Sequence, residues 1–179
     1  MRKINTFIGT LIILLTLSCE GEDGAPGPPG EDGINILGTV LEIEGTFSAE
    51  NDYTLFFEFP ENVAVFESDV VLVYLLFDQT TDSNGEIVDI WRLLPQTRIL
   101  DQGLLQYNYD YTFFDVALFL EADFDLNTLL PGDTDNQIFR IAIVPAEFGQ
   151  DTGVDVSNLD AVMGVLEFEQ NSIQQIVLD

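Results

Sequence analysis

The chain has 179 residues, with 32 Asp and Glu against five Lys and Arg, a formal net charge of −27, no histidine and a single cysteine. So acidic a surface repels a phosphate backbone, which argues against nucleic acid as a partner. The missing histidine and lone thiol exclude Ser-His-Asp and Cys-His catalysis, zinc sites built on those residues, and any internal disulfide.

Residues 1–18 read as a leader. Met1-Arg2-Lys3 supplies the basic start, Phe7 to Leu17 an apolar core, and Ser18 a small residue at the cut, the three-part layout of a secretory signal. The apolar core is about 11 residues where a membrane-crossing helix needs roughly 20, so it reads as a segment to be removed rather than a span. Thr16-Leu17-Ser18-Cys19 resembles the bacterial lipobox. That resemblance implies a diacylglycerol on the Cys19 thiol, cleavage before it, and acylation of the new amino terminus. The family usually has Leu three places before the cysteine; here that place is Thr16, with leucines at 15 and 17. Two or more acyl chains make a stable anchor, so the mature protein is expected to sit on a membrane without crossing it. Past Cys19, three arginines (Arg92, Arg98, Arg140) face 32 acids, a net charge of −29.

Residues 19–33 form the second segment. Glycine recurs at 21, 24, 27, 30 and 33, with Pro26, Pro28 and Pro29 between. This period of three resembles collagen, in which only Gly fits the axis of three wound chains. Two readings follow. One is a short triple helix, which would stack Gly-Glu-Asp triplets acid against acid. The other is an extended charged spacer, which at ~3.1 Å per residue would reach roughly 40 Å. A lipobox cysteine followed by Glu20, Glu22, Asp23 and a Gly-Pro-Pro-Gly tract is similar to the collagen-like surface lipoproteins of the Bacteroidota. The resemblance implies display on the outer face of the outer membrane and carries no known function for the domain beyond.

Residues 34–179 are expected to form one all-β domain, a single antiparallel β-sandwich of about eight or nine strands. Short apolar or alternating runs bounded by turn residues carry that reading, and the 46% of hydrophobic residues exclude a disordered acidic tail. Strands are predicted near Ile34–Ile43, Tyr53–Phe59, Val70–Phe77, Ile87–Leu94, Leu104–Thr112, Phe114–Leu120, Ile138–Val144, Ala161–Phe168 and Ile173–Leu178. Val70 to Phe77 is apolar without alternation, as expected of a central strand covered on both faces. Asp82-Ser83-Asn84-Gly85 carries the Asn-Gly chemistry of a tight hairpin turn, and Asp101-Gln102-Gly103 signals a second turn. Pro60, Pro95, Pro131 and Pro145 fall where strands should end.

Three groups of residues carry candidate chemistry. Asp123, Asp125 and Asn127 have the alternating spacing that opens an EF-hand loop. Thr128 and Thr134, however, stand where the turn glycine and closing glutamate belong. A looser calcium loop would add Asp133 and Asp135; the alternative is a solvated acidic loop whose Asp and Asn serve turns. Tyr107, Tyr109 and Tyr111 alternate along one strand and so share a face. Exposed, they would make a stacking platform for sugars; otherwise they pack onto the second sheet. The three arginines match carboxylates, and in so acidic a chain each is expected to pair with a neighbouring Asp or Glu.

The expectation is therefore a lipid-anchored surface protein with a binding or structural role, with a glycan or a protein as its ligand and no cofactor unless calcium. It is not expected to be an enzyme; the alternative is a carbohydrate-active protein that uses carboxylates or calcium.

Overall fold

The computed structural model describes residues 38–145, 153–166 and 173–178. Two sheets pack face to face. The first has five strands in the order β4-β3-β8-β1-β9: β1 (Thr39–Gly45), β3 (Val70–Thr81), β4 (Ile87–Leu93), β8 (Gln137–Val144) and β9 (Gln174–Val177). The second has four in the order β2-β7-β6-β5: β2 (Thr54–Glu58), β5 (Gln96–Leu100), β6 (Gly103–Tyr111) and β7 (Asp115–Ala122). Every pairing is antiparallel except that of β1 with β9. The expected sandwich is what forms, with one parallel strand added at an edge.

Alternation decides the interior. Leu41, Ile43, Val71, Val73, Leu75, Phe139 and Ile141 of the first sheet meet Leu55, Phe57, Leu105, Tyr107, Val116 and Leu118 of the second. Phe47 packs edge-on against both Tyr107 and Phe139, at 6.2 and 6.1 Å between ring centres. Each side chain taken out of water here contributes about 1.5–3 kcal/mol.

The segment expected as a strand over Ala161–Phe168 is instead a helix. With Pro131–Thr134 as the short helix α1, it is α2 (Leu159–Val165). Asn158 caps it, its side-chain oxygen accepting from the Ala161 amide at 3.2 Å. Leu159, Val162, Met163 and Leu166 recur at helical spacing and bury one stripe on the outer face of the first sheet, against Val40, Leu72, Tyr74, Ala142 and Val144. A third layer thus covers β3 from outside, and the uninterrupted apolar run from Val70 is buried on both faces.

The two predicted turns form. At the β3–β4 hairpin the Asp82 carboxylate accepts from the amides of Asn84 and Glu86, both at 2.8 Å, and Gly85 takes φ 87°. Gly103 (φ 146°) opens β6 at the second turn. Gln96–Leu100, where the sequence predicts no strand, is β5: β4 ends at Leu93, just before Pro95, and the chain crosses to the other sheet.

Candidate functional site

Cys19 lies outside the described residues. The other predicted site residues can be placed. The tyrosine row does share one face, but that face is the core. Tyr107 is buried, and its hydroxyl donates to the Asp133 carbonyl at 2.8 Å. Tyr109 reaches across the sandwich to donate to the Val71 carbonyl at 3.1 Å. Tyr111 alone is exposed, stacked on Tyr109 at 6.1 Å. A three-ring platform in solvent is therefore corrected to a seam between the sheets. Burial pushes the Tyr107 hydroxyl up to about 12, against a smaller downward pull from Arg98.

The proposed calcium ligands each have a partner within the protein. The Asp123 carboxylate accepts from the Leu104 amide at 2.8 Å, bracing the turn at Gly103. Asp125 caps a 3-10 turn through the Asn127 amide at 3.0 Å. Asn127 itself accepts from the Tyr53 hydroxyl at 3.3 Å. Asp133 pairs with Arg98 at 3.0 Å, and Asp135 accepts from the Thr134 hydroxyl at 2.8 Å. Among the described residues no group of three or more carboxylates stands where it could hold a metal ion. Each of these side chains already serves a turn, a cap or an ion pair.

A different place gathers recognition chemistry. Between β4 and the start of α2 lies a cleft of about 430 Å³ lined by Asp89, Ile90, Trp91, Asp155, Ser157, Asn158, Leu159 and Asp160. Its walls are held from both sides. Tyr74, buried in the layer under α2, donates its hydroxyl to the Val156 carbonyl at 2.6 Å and ties the loop before the helix to the sheet. Trp91 is braced by Arg140, whose guanidinium lies 4.1 Å from the ring centre. Arg140 is in turn fixed to Glu42 at 2.9 Å, and Glu42 also accepts from Gln175 at 2.8 Å. Asp89 accepts from Gln79 at 2.8 Å. The Ser157 hydroxyl and amide hold Asp155 below the ordinary carboxylate range.

A half-buried aromatic ring bordered by carboxylates and an amide, with no three acidic side chains among the described residues placed to hold a metal ion, does not suit a single cation. It suits a ligand with several hydroxyls and an apolar face, such as a sugar. The sequence leaves a lone tryptophan such as Trp91 ambiguous between core and site, and in the structure it is half-buried against the cluster under α2. The helical spacing from Leu159 to Leu166, which builds the opposite wall, was the signal that could have pointed here.

Comparison with protein-family models, with curated proteins and with solved structures finds no match. The cleft is therefore read from its own chemistry.

Proposed function

We propose that this chain is a lipoprotein anchored through Cys19 in the bacterial outer membrane and facing the exterior, and that its β-sandwich binds a glycan in the Trp91 cleft without catalysis. The anchor reading is supported by the only cysteine of the chain standing after an apolar leader and before an acidic Gly-Pro tract. The observation that carries the binding reading is the braced Trp91 ring among the hydrogen-bonding groups of Asp89, Asn158 and Asp160.

Carboxylates also line that cleft, which keeps a carboxylate-dependent glycosidase as the alternative. A general acid at neutral pH needs a carboxyl raised above its ordinary range, whereas Asp155 is held below it. Binding is the better reading. Among the described residues no helix is long and apolar enough to cross a membrane.

Two measurements test the proposal. Intact mass and membrane fractionation of wild type and Cys19→Ser address the anchor: acyl mass and membrane association should both vanish in the variant, and an unacylated wild type would contradict it. A glycan array with and without calcium addresses the ligand: a signal lost in Trp91→Ala supports the cleft, and silence across the array counts against it.

A further inference from the structure

Successive strand residues point to opposite faces, so Arg92, next to Trp91 on β4, turns away from the cleft. Its guanidinium lies 3.6 Å from the centre of the Phe77 ring, and that of Arg98 lies 5.5 Å from the same centre. β4 and β5 are edge strands of the two sheets, so the arginines come from different sheets and meet over one ring at the side of the sandwich. The β3–β4 register shifts between Leu76 and Asp78. Phe77 is the residue at that irregularity, and it packs on the inter-sheet core.

The two cations are held differently. Arg98 is fixed by Asp133, itself only 8% exposed, at 3.0 Å. Arg92 is exposed and, among the described residues, has no carboxylate within ion-pair distance. In a chain with 32 acids and five bases, every cation has an excess of carboxylates to choose from. Arg140 and Arg98 took one each; Arg92 stacks on a ring, and its five N–H donors meet no protein acceptor among the described residues. Two guanidinium groups and one carboxylate leave the cluster with one uncompensated positive charge. The negative field of the rest of the molecule is screened beyond ~8 Å at physiological ionic strength. A monoanion brought close therefore meets attraction, while a polyanion spread over the surface meets repulsion.

We propose that Arg92, Phe77 and Arg98 form a binding site for one isolated carboxylate on a small monoanion, for which a glucuronoside serves as probe. Arg92 grips the carboxylate with two parallel N–H donors. Phe77 orients that guanidinium, and the Arg98–Asp133 pair flanks the same ring from the facing sheet. The site lies on the other face of β4 from the Trp91 cleft, so it stands or falls separately.

Saturation-transfer NMR of the full chain with methyl β-glucuronoside and its neutral counterpart methyl β-glucoside tests it, the two probes differing only in the carboxylate. The glucuronoside should bind saturably and weaken with added salt, and the glucoside should give no signal that depends on Arg92. Arg92→Gln should weaken glucuronoside binding about tenfold or more, and Arg92→Lys should lose most of it too, because an ammonium lacks the planar fork. Equal binding of both probes, no binding of the glucuronoside, or binding unchanged in Arg92→Gln would each overturn the proposal. Arg92 is exposed, so unchanged melting temperatures should accompany both variants; if Arg92→Gln misfolds, Arg92→Lys supplies the reading.

Discussion

The two sheets differ in how many of their faces are dry. The five-stranded sheet is covered twice, by the other sheet on one side and by α2 on the other, whereas the four-stranded sheet leaves its outer face open to water. On that open face Ile99 is 85% exposed, and Asn108 bridges Gln106 and Glu121 at 3.1 and 2.6 Å. The candidate cleft is found on the doubly covered sheet. A third layer that covers only part of a sheet leaves a step at its margin, and here the step leaves Trp91 half-buried beside the start of the helix. A bare sheet offers no such wall.

That contrast can be broken by substitution. Phe139→Ala, in the core shared by both sheets, is expected to cost about 3–5 kcal/mol in urea unfolding. A cost near 1 would mean that the sheets are not closely packed there. Alkaline unfolding probes the same interior through Tyr107. The folded chain keeps the Tyr107 proton to about 12, and the unfolded chain releases it near 10. Stability should thus be independent of this group at lower pH and should fall as pH rises from about 10 through 12, by on the order of 2 kcal/mol. Tyr107→Phe should reduce the alkaline loss of stability without abolishing it, because burial also raises the Tyr74 and Tyr109 hydroxyls, and a profile identical to wild type would place the Tyr107 hydroxyl in water. Leu159→Ala tests the helical layer. It should cost about 2 kcal/mol, at the low end for a leucine truncation because one-sided burial lets neighbours relax, and a neutral result would mean that α2 does not cover the sheet. Ile99→Thr on the open face should stay within about 0.5 kcal/mol of wild type.

How far the sequence could be read follows from the same contrast. The run from Val70 to Phe77 lacked alternation and so announced a strand dry on both faces. Leu104 to Tyr111 alternated and announced one wet face. What hid was the cover itself: Ala161-Val-Met-Gly-Val-Leu166 has the apolar density of a strand, and only the Asn158 cap and the three-and-four spacing from Leu159 mark it as helix. The tyrosine row was read correctly as one face, but a strand pattern does not say which face is inward. That depended on the partner sheet, which supplies the Val71 carbonyl. The aspartates from 123 to 135 have plausible metal spacing; the local turn roles of Asp125 and Asp135 match the alternative of an acidic loop whose Asp and Asn serve turns, whereas the partners of Asp123 and Asp133 (Leu104, Arg98) are distant in sequence and no local pattern encodes them. Trp91 was ambiguous for the same reason, since its bracing Arg140 lies two strands away across β3.

Because Trp91 is the sole tryptophan of the chain, its fluorescence reports on the cleft alone. Titrating the full chain with the neutral glycans that score on the array, while following tryptophan emission, tests the central claim most directly. The account predicts a saturable shift in emission whose midpoint matches the binding midpoint measured by calorimetry. Binding that is measurable by heat but leaves Trp91 emission unchanged would contradict it, because the ligand would then sit elsewhere on the molecule.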